Sequence, residues 1–143
     1  MSSPAKRLKL ARLKAGKSPE EIARIAGVDI HDYYDMESAP DELSTNVSLK
    51  HIKTVCDALS IKPSTLFSDT ILPSEGSLGF NGIPDRVRSK LNATGMKVAE
   101  LEERVGYSIE SALDNPTLIW DWNIDCLQSV CDELGLDWVK VLP

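Results

Sequence analysis

The spacing of apolar residues predicts helices along the whole chain, and short polar signals predict where several of them begin and end. Ser18-Pro19-Glu20-Glu21 has the sequence of a capping box with proline at the first helical position, and apolar residues follow it at helical spacing. Gly27 permits the backbone to end that helix, and Asp29 is suited to cap the next one. The N-terminal part is therefore predicted to contain helices over residues 4–14, 18–26, 29–37 and 49–59, with a short closing helix at 63–67.

Two pairs of similar stretches predict an internal duplication. The sequence VCDALSI, which begins at Val55, resembles VCDELGL, which begins at Val130. Upstream, the two glycines Gly16 and Gly27 are separated by the same distance as a second pair near the middle of the chain, Gly95 and Gly106. The segment between the copies, Ser68 to Gly82, is rich in Ser, Gly and Pro, as linkers are. We therefore expect a first domain at residues 1–67, a linker at 68–82 and a diverged second domain at 83–143.

The second copy follows the same plan less regularly. Asn115-Pro116 is expected to stop its third helix early, because proline cannot continue a helix. The three tryptophans of the chain, Trp120, Trp122 and Trp138, all lie in this copy. We expect them to fill the core and the space between the domains rather than a ligand site.

The composition is that of a globular protein, with 42% hydrophobic and 27% charged residues. No apolar run approaches the roughly 20 residues that a transmembrane helix needs, and the N-terminus lacks the pattern of a signal peptide. We therefore expect a cytoplasmic protein without a membrane contact. Three cysteines without a CxxC pair, together with two histidines, predict buried free thiols rather than a metal site.

The charges of the chain are distributed unevenly around a net charge of −6. Residues 1–17 contain six cations and no acid, whereas residues 29–42 contain six acids and no Lys or Arg. From residue 98 to the end there are ten acids and two cations. Binding to phosphate needs clustered cations, so this balance argues against a dominant role in binding nucleic acid.

The run from Ser18 to Ser38 resembles the phage-repressor-like helix-turn-helix family, of the xenobiotic-response-element type. It has a capped helix, an alanine-rich inner face, a glycine turn and a second helix that ends in Glu37. The resemblance covers residues 5–67 directly and residues 83–142 mainly through the repeat. It implies an all-α fold with two tandem five-helix domains packed together. In this family the second and third helices form the helix-turn-helix, and the third helix reads base edges in the major groove.

The chain departs from the family where bases would be read. Base reading needs donors such as Arg, Lys, Asn or Gln, and only His31 comes close at the matching positions of the third helix. Pro19 also replaces the glutamine with which the family contacts a phosphate. The matching positions are Ile30, His31, Asp32, Tyr34 and Asp35 in the first copy, and Ile109, Glu110, Ser111 and Asp114 in the second.

Acidic third helices in both copies favour recognition of a basic protein partner. The resemblance and this acidity together predict an inhibitor of the antitoxin or immunity-protein kind, acting on a nucleic-acid-targeting toxin. The candidate partner-binding residues are Asp29, His31, Asp32, Tyr34, Asp35, Glu37, Glu110 and Asp114.

Two other interpretations stay open. The chain is a DNA-binding regulator if its basic first helix holds phosphate, through Lys6, Arg7, Lys9 and Lys17. It is a structural or adaptor module if the acids are only a solvated face.

An enzyme is not expected, and no catalytic residue, metal or cofactor is assigned. Gly16-Lys17-Ser18 resembles the end of a phosphate-binding loop, but Ala11 stands where the leading glycine belongs and no strand precedes it.

Overall fold

The computed structural model describes residues 3–68 and 80–142, and all regular secondary structure in these two ranges is helical. This confirms the all-α prediction for the part of the chain that is described. Among the same residues, no helix has both the length and the apolar character needed to cross a membrane.

Six helices form the N-terminal part, and all five predicted helices begin and end within one residue of their predicted bounds. Their bounds are α1 Pro4–Ala15, α2 Pro19–Ala26, α3 Ile30–Ser38, α4 Glu42–Thr45, α5 Leu49–Ala58 and α6 Ser64–Phe67.

Local capping explains the position of α2. The Ser18 hydroxyl accepts a hydrogen bond from the Glu21 N–H at 3.2 Å, and the Glu21 carboxylate accepts one from the Ser18 N–H at 3.1 Å. After α2 the chain reverses at Gly27, whose φ of 73° lies in the left-handed region. Asp29 then begins α3 by accepting the His31 N–H at 2.8 Å. The turn between the two helices is therefore fixed by Gly27 and Asp29.

The short helix α4 lies between α3 and α5, where the sequence predicted no helix. It is anchored by Leu43, which is only 1% exposed. Its four residues are too few to show a helical period, so the pattern of the sequence gave no signal for it.

The C-terminal part contains five α-helices and two 3-10 segments. The third helix of this part is five residues long and ends before Pro116, as predicted. The bounds are the 3-10 turn Phe80–Gly82, α7 Ile83–Thr94, α8 Val98–Val105, α9 Glu110–Asp114, the 3-10 segment Pro116–Asp121, α10 Ile124–Leu134 and α11 Trp138–Val141.

A single apolar core joins the two parts of the chain. The helix α10 packs against α4, the Pro116–Asp121 segment packs against α5, and α11 packs against α6. Two hydrogen bonds reinforce this junction: the Leu49 N–H donates to the Trp122 carbonyl and the Asn123 amide donates to the Thr45 carbonyl, each at 2.8 Å.

The three tryptophans are half-buried and pack against the edge of the apolar core, and Trp122 also lines a surface cleft of about 330 Å³. The rings of Trp138 and Phe67 meet edge to face across the junction with centroids 5.3 Å apart. Trp120 meets Phe80 in the same way at 4.7 Å. Phe80 is 7% exposed, so the end of the segment expected to be a linker belongs to the folded structure. The remainder of that segment, residues 69–79, lies outside the described residues.

Candidate functional site

The helix α3 divides into a buried and an exposed face. Tyr33 and Met36 point into the core and are 0% and 2% exposed, as the apolar spacing predicted. The side chains of Asp32 and Asp35 lie on the exposed face. The fold therefore presents these two acids to solvent while it holds the helix by the opposite side.

Four carboxylates line one small cleft beside α3, which we call the acidic cleft. It has a volume of about 210 Å³ and includes Asp29, Asp32, Asp35 and Glu42 together with His51. No described Lys or Arg lines it, and none of these four carboxylates forms an ion pair with another described residue. The cleft therefore carries negative charge that a cation entering it would offset.

Sequence reasoning missed two members of the acidic cleft. Glu42 was recognised only as part of an acidic run, and His51 was not singled out, because it lies on α5 rather than on α3. The cleft lies between α3 on one side and α4 with the start of α5 on the other. The sequence contained no local signal for this contact.

His31 and Tyr34 are exposed on α3 but do not line the acidic cleft. The Tyr34 hydroxyl donates a hydrogen bond to the Glu20 carboxylate at 2.8 Å. This contact raises the pKa of Tyr34 and lowers the pKa of Glu20. The start of α2 therefore has carboxylates at its exposed end, Glu20 and Glu21, where a phosphate-binding helix would leave its N–H groups open.

Glu37 does not belong to the exposed acidic surface, contrary to the expectation from the sequence. Its side chain is 9% exposed and forms a bidentate ion pair with Arg12 of α1, with Nε–Oε2 and Nη2–Oε1 distances of 2.7 and 3.1 Å. The hydrogen bond to Glu37 raises the pKa of Arg12. Burial, followed by the nearby Glu37 carboxylate, raises the pKa of Tyr33. Glu37 therefore joins α1 to α3 instead of facing a partner.

The candidate acids of the C-terminal part lie on α9 and do not line the acidic cleft. Glu110 is exposed, and its backbone N–H donates to the Glu102 carboxylate at 3.1 Å. Asp114 is 85% exposed and pairs with Arg88 at 3.2 Å. The structure therefore does not bring the candidate acids of the N-terminal and C-terminal parts together into one site.

The candidate phosphate-binding cations are only partly available. Lys17 Nζ donates to the Ala58 carbonyl at 3.0 Å, and Arg7 Nη1 donates to the Leu66 carbonyl at 3.1 Å. Lys6 and Lys9 are exposed and form no ion pair within the described part of the chain. Two of the four candidates therefore stabilise the ends of helices in their own domain.

The cysteines are buried thiols, as expected. Cys56, Cys126 and Cys131 are free, and burial raises the pKa of each to about 12. Within residues 3–68 and 80–142, no group of three or more His, Cys, Asp or Glu side chains is placed to hold a metal ion.

Comparison with protein-family models, with curated proteins and with solved structures finds no match to this chain. The family resemblance and the function it implies therefore stay predictions, and the case for a function depends on the geometry alone.

Proposed function

We propose that this protein is a non-enzymatic binding protein that recognises a basic protein partner through the acidic cleft. The observation that carries the proposal is the unpaired state of the four carboxylates in that cleft. Charged groups that no cation of their own fold neutralises are suited to complement an opposite charge on a partner, which speeds encounter and excludes wrong partners.

The partner best suited to the cleft is a protein that handles nucleic acid. Such proteins cluster Arg and Lys to hold phosphates, and an acidic helix can occupy that cluster in place of the nucleic acid. The role is that of an antitoxin or immunity protein, in which Asp32 and Asp35 of α3 contact the basic active site of the partner.

We also propose that the fold consists of two diverged repressor-like helix-turn-helix domains. Several features repeat between the two parts and support this proposal. Gly27 and Gly106 both reverse the chain with left-handed φ angles of 73° and 82°. The carbonyls of Ala58 and Glu133, which are equivalent in the two similar stretches, each accept a hydrogen bond from a lysine, although Lys17 follows α1 and Lys90 lies within α7.

Charge reversal in the acidic cleft tests the binding proposal. A bait of the wild-type chain identifies the partner in an extract of the native host, and calorimetry then measures its affinity for each variant. Asp32→Lys and Asp35→Lys should each weaken binding by about 2–5 kcal/mol, because a like charge then faces the basic partner. Glu103→Lys is the matched control, since it reverses an exposed acid of α8 far from the cleft in sequence. Equal affinity for all these variants would refute the proposal.

DNA binding is the second candidate, and the exposed cations of α1 favour it. Lys6, Lys9 and Lys14 are exposed on a helix without an acid. Duplex affinity at physiological salt should nevertheless be weak, because the acids of α2 and α3 oppose phosphate. Anisotropy titration with the upstream region of the gene decides between the two. Specific nanomolar binding that a Lys6→Glu/Lys9→Glu variant loses would favour the regulator.

A further inference from the structure

A second unusual surface lies on α1, which we call the cationic stripe. Lys6, Lys9, Leu10 and Leu13 follow one another three or four residues apart or side by side, so they share one face of the helix. Leu10 and Leu13 are 53% and 55% exposed, which is unusual for leucines placed together on a helix. The stripe therefore combines apolar surface with positive charge.

The cationic stripe borders a cleft of about 380 Å³, whose other wall includes Ser38 and Pro40. Among the described residues, Glu37 is the one carboxylate that lines this cleft, and it is already paired with Arg12. The stripe therefore has no described acid that balances Lys6 and Lys9. Its cover must bring apolar contacts and negative charge.

The acidic cleft and the cationic stripe are neighbours on the surface of the protein. Pro40 lines the cleft beside the stripe and Glu42 lines the acidic cleft, so the two features flank the short segment from Ala39 to Glu42. One half of this combined surface is positive and the other half is negative. If a second copy is rotated by 180° and placed against this surface, its positive half faces the negative half of the first copy and its negative half faces the positive half.

We propose that two copies of this chain form a two-fold symmetric dimer in which the cationic stripe of each copy covers the acidic cleft of the other. A two-fold interface places the same patch of both subunits together in reverse, so Lys6 and Lys9 of one copy meet Asp32 and Asp35 of its partner. Leu10 and Leu13 lose their exposure to water near the axis of the same interface.

The charges of the chain favour a second copy over another occupant. The cover that the stripe requires is a negative surface, and the acidic cleft of this same chain has one without a cation of its own. The inference goes beyond the proposed function, since the dimer would mask the acidic cleft until a basic partner displaces the second copy. It is tested without that partner.

Sedimentation analysis of the full chain over a range of concentrations measures the dimer directly. The Lys6→Glu/Lys9→Glu and Asp32→Lys/Asp35→Lys variants should each dimerise at least about tenfold more weakly than the wild type, because each places like charges opposite one another. A one-to-one mixture of the two variants should form a heterodimer, since both contacts of the interface then pair opposite charges again. Circular dichroism establishes that each variant is folded.

Two further measurements distinguish association through the cationic stripe from non-specific association of exposed apolar residues. Leu10→Ala/Leu13→Ala should weaken the dimer, whereas Ile25→Ala should not, because Ile25 is 53% exposed but lines neither cleft. Raising the ionic strength from about 0.05 to about 0.5 M should weaken the wild-type dimer by screening the charge pairs. This last measurement requires no variant.

A wild-type chain that stays monomeric at the highest attainable concentration would overturn the proposal. So would a dimer that both double variants retain, or a mixture of the variants that fails to associate while each is folded. Because no partner protein is present, these outcomes leave the proposed recognition of a basic partner standing. If the wild-type chain forms the dimer as expected but binds no basic partner, the proposed function fails and the proposed dimer stands.

Discussion

The ion pair between Arg12 and Glu37 provides the sharpest test of how this fold is held together. It connects α1 to α3, and both side chains are about 10% exposed or less. Arg12 Nη1 also donates to the Lys17 carbonyl at 3.1 Å, so one guanidinium ties the end of α1 to α3. Glu37→Ala leaves this guanidinium without its counter-charge in a place that water hardly reaches.

The expected cost of Glu37→Ala is about 3 kcal/mol of unfolding free energy. Breaking a buried pair by removing one partner costs about 3–5 kcal/mol, and the lower end applies because the pair lies at the edge of the core. For a chain of this length, that loss corresponds to a fall in melting temperature of roughly 6–12 °C. Urea unfolding followed by circular dichroism measures the free energy.

A double-mutant cycle of Arg12→Ala, Glu37→Ala and the combined variant isolates the pair itself. The matched control is the pair between Lys53 and Asp57, which has a similar distance of 2.7 Å but side chains 42% and 59% exposed. The control should give a coupling of about 0.3–0.5 kcal/mol, as exposed pairs on one helix do. If the Arg12 and Glu37 cycle gave no more than the control, the pair would not hold α1 to α3.

Three further predictions concern groups whose environment the structure defines. Burial raises the pKa of the three thiols from about 9 to about 12. The unfolding free energy should therefore keep its full value below pH 9 and decrease as the pH rises from 9 towards 12, because the thiols ionise first in the unfolded chain. Urea titrations at pH 8 and pH 10 measure this, and unchanged stability would contradict it. Gly27→Ala should cost about 1 kcal/mol of unfolding free energy, because no atom lies within 4 Å of the added Cβ and only the left-handed φ of 73° disfavours alanine. The control is Gly82→Ala, at a φ of −83°, where the backbone conformation does not disfavour alanine. Tyr33→Phe should leave the melting temperature unchanged or raise it, since the buried hydroxyl lies near the Arg12–Glu37 pair without hydrogen-bonding geometry to any described residue, and a clear fall would show that it has a partner.

The sequence predicted helices best where the signals are local. The capping box at Ser18, the glycine turn at Gly27 and the cap at Asp29 act over three or four residues, and the structure shows each of them. The 3-10 segment Pro116–Asp121 was not predicted, because it has no helical period. It forms where the early end of α9 leaves the chain to pack along α5.

The candidate site was predicted less well, because it depends on contacts between distant residues. Glu37 and the exposed acids of α3 look alike in the sequence, yet Glu37 turns to Arg12, which is 25 residues away along the chain. Glu42 and His51 join the acidic cleft only because the fold places α4 and the start of α5 across from α3. A pattern read along a single helix cannot contain either relation.

Some acids of α3 stabilise the fold and others do not, and only substitutions of the second kind test binding without a change in stability. Asp29 caps α3, so replacing it should cost about 1 kcal/mol of stability whatever its role in binding. The side chains of Asp32 and Asp35 are exposed, do not cap α3 and form no described ion pair. The fold does not need these two acids, and their mutual repulsion is a small cost to its stability. A loss of binding in variants of these two residues, with unchanged stability, would therefore assign them to recognition rather than to the fold.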